Sequence, residues 1–258
     1  EILSFDKCFS EKSLNSLKKL KTMYNSIEWM NLIETQKKPF LCQVSIKLDS
    51  DLKTIVEDLA PIVANYIGSW PVFLNGKFWF SPNTKNFEGR SQNWHMDAED
   101  VRQLKILIPV DEITQDHGPM KLIPANITNK IYSNLKKKKK TKYRNEKHQD
   151  ELINSVLENM NLNNNIVTSM TIKKDEIALI DTCRCYHYGS RKALNPRKII
   201  ALHFTSAFSI ETPIFKRNIK LLENGNFKKD SLYCFQDNNY LTAFKNSKNL
   251  SKWQIKIL

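Results

Sequence analysis

The chain has 258 residues, 41% of them hydrophobic, with 40 Lys and Arg against 27 Asp and Glu for a formal net charge of +13. That apolar share suits a globular core and excludes a disordered chain, and no apolar run approaches the roughly 20 residues of a membrane-spanning helix. The excess charge is mostly lysine spread along the sequence. Without a zinc-finger spacing or a stacking-aromatic signature it does not point to a nucleic-acid partner.

The N-terminus, EILSFDKCFSEKSLNSLKKLK, carries no basic-then-apolar signal pattern, and because it opens on Glu1 rather than Met a trimmed start is expected. Leu52 to Trp70 places apolar residues at helical spacing, interrupted by Pro61, and reads as a helix or a kinked pair. From Pro71 the texture turns to β. PVFLNGKFWFSP predicts strand, turn, strand, with Asn75-Gly76 as the turn. QLKILIPVDEI and GPMKLIPA predict short strands separated by the turn-forming TQDHGP. Residues 126–165 read as a polar, partly helical insertion with too few apolar residues to pack a core of its own. Its run Lys136 to Lys140 is expected to be a solvated face and not a phosphate-binding patch. Strand texture returns in IVTSMTIKKDEIALIDTCRCYHYGS and RKIIALHFTSAF, and the tail after Ile214 gives little signal.

Parallel βαβ alternation is absent, as are glycine-rich phosphate loops in a chain with only six glycines. Short strands with turn punctuation predict an antiparallel sandwich or barrel such as a jelly roll, mainly β with flanking helices. The cysteines are Cys8, Cys42, Cys183, Cys185 and Cys234, an odd number with no CxxC pair. That argues against a disulfide framework and a structural zinc site, and makes the cytoplasm the expected compartment.

SQNWHMDAED carries the chemistry. On a strand, His95 and Asp97 project to one face. With a second imidazole from elsewhere they form a two-histidine, one-carboxylate set that leaves three positions open on a non-haem Fe(II) ion. Alone, His-x-Asp is a weak signal. Of the other histidines, His117 reads as a turn residue, His148 as solvated in the insertion, and His203 as a satisfied core histidine. His187 stands apart, in CRCYHYGSR after a β run, ten residues before Arg197.

Two stretches, NWHMDAEDVRQLKILIPVDEITQDHGPMKLIPA and KKDEIALIDTCRCYHYGSRKALNPRKIIALHF, together resemble the Fe(II)- and 2-oxoglutarate-dependent dioxygenases of the phytanoyl-CoA dioxygenase type. Lys174-Asp175 stands where that family has Gly-Asp. The N-terminal region, the insertion and the tail are not covered by the likeness. The resemblance implies a double-stranded β-helix (jelly-roll, cupin-like) core in a single domain over 1–258. Within it, 1–70 would be a helical support, 71–125 and 166–210 the core, 126–165 a lid, and 211–258 a C-terminal extension. It implies His95, Asp97 and His187 as the catalytic iron ligands, and Arg197 as the anchor for the distal carboxylate of 2-oxoglutarate. A planar guanidinium fork suits that task. Arg191 is the rival, nearer His187 but in the Gly-Ser turn; otherwise it is a substrate contact or a solvated turn residue.

Lys105 would add a second positive contact to the co-substrate, or face solvent. Trp94, Tyr186 and Tyr188 would line the pocket or belong to the core, and Cys183 and Cys185 read as packing residues. The implied cofactors are Fe(II), 2-oxoglutarate as co-substrate and O₂. The implied reaction is hydroxylation of an unactivated C–H bond of a small-molecule metabolite, releasing succinate and CO₂. Related halogenases carry Gly or Ala where Asp97 stands, which favours hydroxylation here; desaturation and ring formation stay open. No nucleic-acid or membrane partner is expected, and neither the substrate nor the oligomeric state is legible. The competing classes are a non-catalytic jelly-roll binding protein and an oxygenase acting on a macromolecule.

Overall fold

In the computed structural model the described residues are 1–206 apart from 37–39, 69–70, 83–89, 101, 144 and 163. The expected extension over 211–258, the expected core residues 207–210, and Cys234 fall outside them. Helix α1 (Glu11–Asn25) begins at Ser10, whose hydroxyl accepts from the Ser13 amide, one of the donors a helix start leaves without a partner. A short α2 (Trp29–Gln36) follows. Helix α3 (Ser50–Ile67) begins at Asp49, whose carboxylate accepts from two backbone amides, and ends at Gly68 in the left-handed region. It runs through Pro61 as one helix. Leu52, Ile55, Val56, Leu59 and Val63 are fully buried along one face, and burying that face outweighs the hydrogen bond Pro61 cannot donate.

The strands are β1 (Ile2–Ser4), β2 (Cys42–Ile46), β3 (Pro71–Ser81), β4 (Gln103–Pro109), β5 (Lys121–Leu122), β6 (Thr168–Ser169), β7 (Glu176–Ile180), β8 (His187–Tyr188) and β9 (Arg197–Ser206). Among the described residues they form two sheets, ordered β1-β7-β4-β9-β3-β2 and β6-β5-β8. Pairing is antiparallel throughout these ladders. On β9 alternate residues serve two cores. Ile200, Leu202 and Phe204 pack with α1 and α3, while Ile199 and Ala201 join Leu107, Met120, Ile172 and Ile180 in the space between the sheets. The strand therefore reads as a near-continuous apolar run, buried on both faces. The architecture is the expected one, mainly β with flanking helices around a double-stranded β-helix, or jelly-roll, core.

One local expectation is corrected. Strand β3 contains no Asn75-Gly76 hairpin. It pairs with β9 from Pro71 to Ser81, with a register shift between Phe73 and Asn75, and a turn there would forfeit that ladder. Gly76 serves a close approach instead: a Cβ would meet Leu52 Cδ2 at 3.2 Å and Leu202 Cδ2 at 3.3 Å, so its absence lets α3 settle on the sheet. The insertion is less polar in its packing than its composition suggests, and it is seated on the rest of the fold without a core of its own. It folds into α4 (Ala125–Lys137) and α5 (Asp150–Asn159). Ile131, Leu135, Ile153, Val156 and Leu157 are buried against Trp94, Met96, Ile123, Tyr186 and Tyr188. Polar composition masked an amphipathic pattern of i, i+4 in α4 and i, i+3, i+4 in α5. Lys136 to Lys140 are exposed at the end of α4. No helix among the described residues is long and apolar enough to cross a membrane.

Candidate metal centre

His95 and His187 are backbone partners. Each amide donates to the other's carbonyl at 3.0 Å, an isolated antiparallel bridge at the start of β8. Their rings lie 4.3 Å apart, centroid to centroid. Two residues on, the Asp97 amide donates to Thr182 O at 2.9 Å. The turn before His187 is shaped by Asp181, whose carboxylate accepts from the amides of Cys183 and Arg184 and from the Tyr66 hydroxyl of α3. As a result, one ligand atom from each of His95, Asp97 and His187 lies within 4.8 Å of the others. The structure thus brings together the three residues singled out in the sequence.

Their protonation follows from the surroundings. His95 Nδ1 is 2.8 Å from Asn93 O, and His187 Nδ1 is 3.0 Å from Cys185 O. A carbonyl only accepts, so both Nδ1 atoms carry the proton and both Nε2 atoms keep a lone pair. Those Nε2 atoms face Asp97, at 3.8 Å from Oδ1 and 3.9 Å from Oδ2 respectively. Burial lowers the pKa of both histidines, that of His187 to about 4, so they are neutral at neutral pH. Burial pushes the Asp97 carboxyl up. The Lys105 ammonium, His187 and hydrogen bonds from Lys105 and Thr182 outweigh it and hold the carboxyl well below the usual carboxylate range. Two neutral imidazoles and one ionised carboxylate are the N and O donor set of a divalent transition-metal site.

Of the residues that support Asp97, Gln103 and Thr182 gave no local signal in the sequence. Lys105 does not face solvent; it is mostly buried, with Nζ 2.5 Å from Asp97 Oδ2. Gln103 Nε2 donates to Thr182 Oγ1 at 2.5 Å and to Asp97 Oδ2 at 3.2 Å. His203 is the core histidine expected, and its Nε2 lies 2.7 Å from Gln103 Oε1. Burial, then the Lys105 ammonium, pulls its pKa from 6.5 to about 3. The unfolded chain therefore takes up this proton more readily than the folded one. The His203 contribution to stability is complete above about pH 6.5 and is lost as the pH falls toward 3. Urea midpoints are expected to drop between pH 7 and 4, and to drop less in His203→Gln. Equal drops in the two proteins would assign the acid sensitivity elsewhere.

Arg197 is 4% exposed at the start of β9, on the face that also carries Ile199, Ala201 and His203. Its NH1 reaches Gly118 O and its NH2 reaches Ser81 Oγ, both at 3.3 Å, and its Nε has no partner. Burial lowers its pKa to about 10, which leaves it a cation at neutral pH. Among the described residues no carboxylate pairs with it. Gly118 abuts the turn after His187: a Cβ there would meet Ser190 Oγ at 2.6 Å and Arg191 O at 2.8 Å, and its φ is +56°. The Arg197 head group is thereby held next to that turn.

Arg191 is not a solvated turn residue. Its NH1 lies 2.8 and 2.7 Å from the two Asp150 carboxylate oxygens, its Nε donates to Gln92 O, and its guanidinium stacks 3.7 Å over the Tyr188 ring. It clamps the first residue of α5 to the turn after His187. Arg191→Ala is expected to lower stability by about 1–2 kcal/mol, because it leaves the Gln92 carbonyl without its donor and removes the stacking on Tyr188, while the Asp150 carboxylate, 44% exposed, is taken up by water. A thermal melt reads this, and any dependence on 2-oxoglutarate should stay unchanged.

Trp94 belongs to the core, 4% exposed and edge-on to Tyr188 at 4.6 Å. The expectation of a solvated His148 is overturned: it is 5% exposed, and its backbone exchanges two hydrogen bonds with Trp94. Burial raises both the Cys183 and Cys185 thiols, the latter to about 11, as expected of protonated packing residues. His117 stabilises its turn, with Nδ1 accepting from the Thr114 amide at 3.2 Å. A cleft of about 340 Å³ opens beside His95 and Asp97. It is lined by His95, Asp97 and Glu99 and, from the connection between α4 and α5, Asn145 and Lys147.

No family model matches the chain, and no curated protein matches it. Solved structures do. EctD from S. alaskensis with bound Fe is 13% identical, with 83% of this chain and 78% of that one covered at a TM-score of 0.51. The non-heme alpha ketoglutarate dependent carbocyclase SnoK from nogalamycin biosynthesis is 10% identical over 84% and 85%, at 0.49. HygX from Streptomyces hygroscopicus, with nickel and 2-oxoglutarate bound, is 10% identical over 80% and 82%, at 0.46. The likeness to EctD is one of fold.

Proposed function

We propose that the chain is a non-haem Fe(II)- and 2-oxoglutarate-dependent oxygenase of the phytanoyl-CoA dioxygenase type, hydroxylating a small polar metabolite. One observation carries the reading. A His-His-Asp donor set with two unprotonated Nε2 atoms shares its jelly roll with a buried arginine that, among the described residues, has a vacant donor and no paired carboxylate. His95, Asp97 and His187 would hold the iron. Arg197 would hold the distal carboxylate of 2-oxoglutarate, since a buried guanidinium gains most from an anionic, bidentate partner. When bound, the iron, 2-oxoglutarate and O₂ supply an oxidant able to attack an unactivated C–H bond, with succinate and CO₂ as by-products.

The rest falls to the chain's own groups. The backbone bridge between His95 and His187 fixes the separation of the two imidazoles, and Lys105 and Gln103 orient Asp97. Asp97 keeps the carboxylate position filled, which favours hydroxylation. Residues 126–165 act as the lid: Asn145 and Lys147 line the cleft, while α4 and α5 pack over Trp94 and Tyr188 and keep water from that side. A cleft of about 340 Å³ is the size of a small-ligand site, which favours a metabolite over a macromolecule. Its acidic and basic lining suits a polar substrate better than an acyl chain. A cytoplasmic setting is part of the same proposal and rests on the odd cysteine count.

The test is an anaerobic titration with Fe(II) and then 2-oxoglutarate, followed by a metabolite screen for substrate-stimulated succinate. Saturable binding of both, with succinate released on admitting O₂, is expected. Iron-loaded protein that does not bind 2-oxoglutarate would sink the proposal.

A further inference from the structure

Asp97 is held unevenly. Lys105 Nζ at 2.5 Å and Gln103 Nε2 at 3.2 Å both donate to Oδ2. Gln103 is itself fixed at both ends of its amide, by Thr182 Oγ1 at 2.5 Å and His203 Nε2 at 2.7 Å. The other oxygen, Oδ1, lies 3.8 Å from His95 Nε2, while Oδ2 itself also lies 3.9 Å from His187 Nε2. Lys105 projects from the middle of β4, in register with Ile180 of β7 and His203 of β9, and its side chain is 15% exposed. Flanked on both sides by strands, the ammonium is held against Asp97 and largely away from water.

We propose that Lys105 is an internal counter-ion and positioning residue of the metal centre. With Gln103 it occupies Oδ2, leaves Oδ1 as the less encumbered carboxylate oxygen for a metal, and lowers the affinity of the centre for that metal. The inference rests on the metal-centre reading above. Two effects act in the same direction. An ammonium bonded to the carboxylate draws on the charge that makes it a donor, and the same ammonium repels an incoming divalent cation. What the chain gains is geometry. A carboxylate with one oxygen tied down cannot close on a metal with both, so a coordination position stays open. Without metal, the largely buried Asp97 charge already has a partner, and the centre does not depend on loading to be tolerated.

The opposing roles give opposite signs. A lysine that merely supported Asp97 would, when replaced, weaken metal binding; a lysine that served only the co-substrate would leave metal binding alone. The experiment is an anaerobic Co(II) titration of the full chain without 2-oxoglutarate, followed by visible absorption and calorimetry. Lys105→Met is expected to bind Co(II) about tenfold more tightly than wild type, with altered d–d bands as Oδ2 is released. Lys105→Arg, which keeps the charge, should stay near wild type. Lys105→Gln, neutral but polar, should also bind more tightly, and it carries the test should the methionine variant fail to fold. Unchanged or weaker Co(II) binding in a folded neutral variant overturns the inference while the wild-type site stands. No Co(II) binding by wild type, or binding that His95→Ala leaves intact, overturns the metal-centre reading and this inference with it.

Discussion

His187→Ala is expected to abolish iron binding and turnover together while leaving the fold in place. The side chain is 4% exposed and supplies one of two imidazole nitrogens in the cluster. Its loss leaves one nitrogen and one carboxylate, a set that does not hold a ferrous ion against water. Replacing residues that only support metal ligands already lowers affinity by about 10- to 100-fold, so loss of a ligand should exceed that. The backbone bridge to His95 uses main-chain atoms and survives the substitution. Far-UV circular dichroism should therefore match wild type while calorimetry detects no Fe(II) uptake. His95→Ala and Asp97→Ala should behave alike. A His187→Ala protein that retains stoichiometric iron would remove this histidine from the centre.

Arg197→Ala should have the second-largest effect and a different character. Metal binding should stay close to wild type, because no atom of Arg197 is bonded to the three clustered residues. The requirement for 2-oxoglutarate should rise steeply. Losing a charge-assisted contact to a buried partner costs about 2–5 kcal/mol, or roughly 30- to several-thousand-fold in affinity. Arg197→Lys keeps the charge without the planar fork and should fall between the two. If Arg191→Ala showed this phenotype and Arg197→Ala did not, the anchor would have to be reassigned. The engagement of Arg191 with Asp150, Gln92 and Tyr188 argues for the present assignment.

The parts legible in the sequence were those whose partners are near in the chain or whose pattern is periodic. His95 and Asp97 announce themselves by an i, i+2 spacing, and β9 by a near-continuous apolar run. The same rule should have exposed the stripe Ile131, Leu135 and Ile153, Val156, Leu157, which was hidden because surrounding lysines and asparagines dominate the composition. Long-range partnerships were not legible. Gln103 meets His203 across 100 positions and Arg191 meets Asp150 across 41, and neither residue type is unusual where it stands. His148 misled for a related reason: it lies in a polar stretch, and only the pairing of its backbone with Trp94 buries it. Asn75-Gly76 misled in the opposite way, a strong local turn signal overridden by the ladder between β3 and β9.

The reciprocal hydrogen bonds between His95 and His187 bear on how such a protein would live through scarcity. In many small metal-dependent domains the ion is the fold, and losing it releases an unfolded chain to proteases. Here the two imidazoles are brought side by side by main-chain atoms that never touch a metal. A cell starved of iron would then hold a standing reserve of folded, idle molecules. Recovery on resupply would run at the speed of ion capture and would not wait for new synthesis.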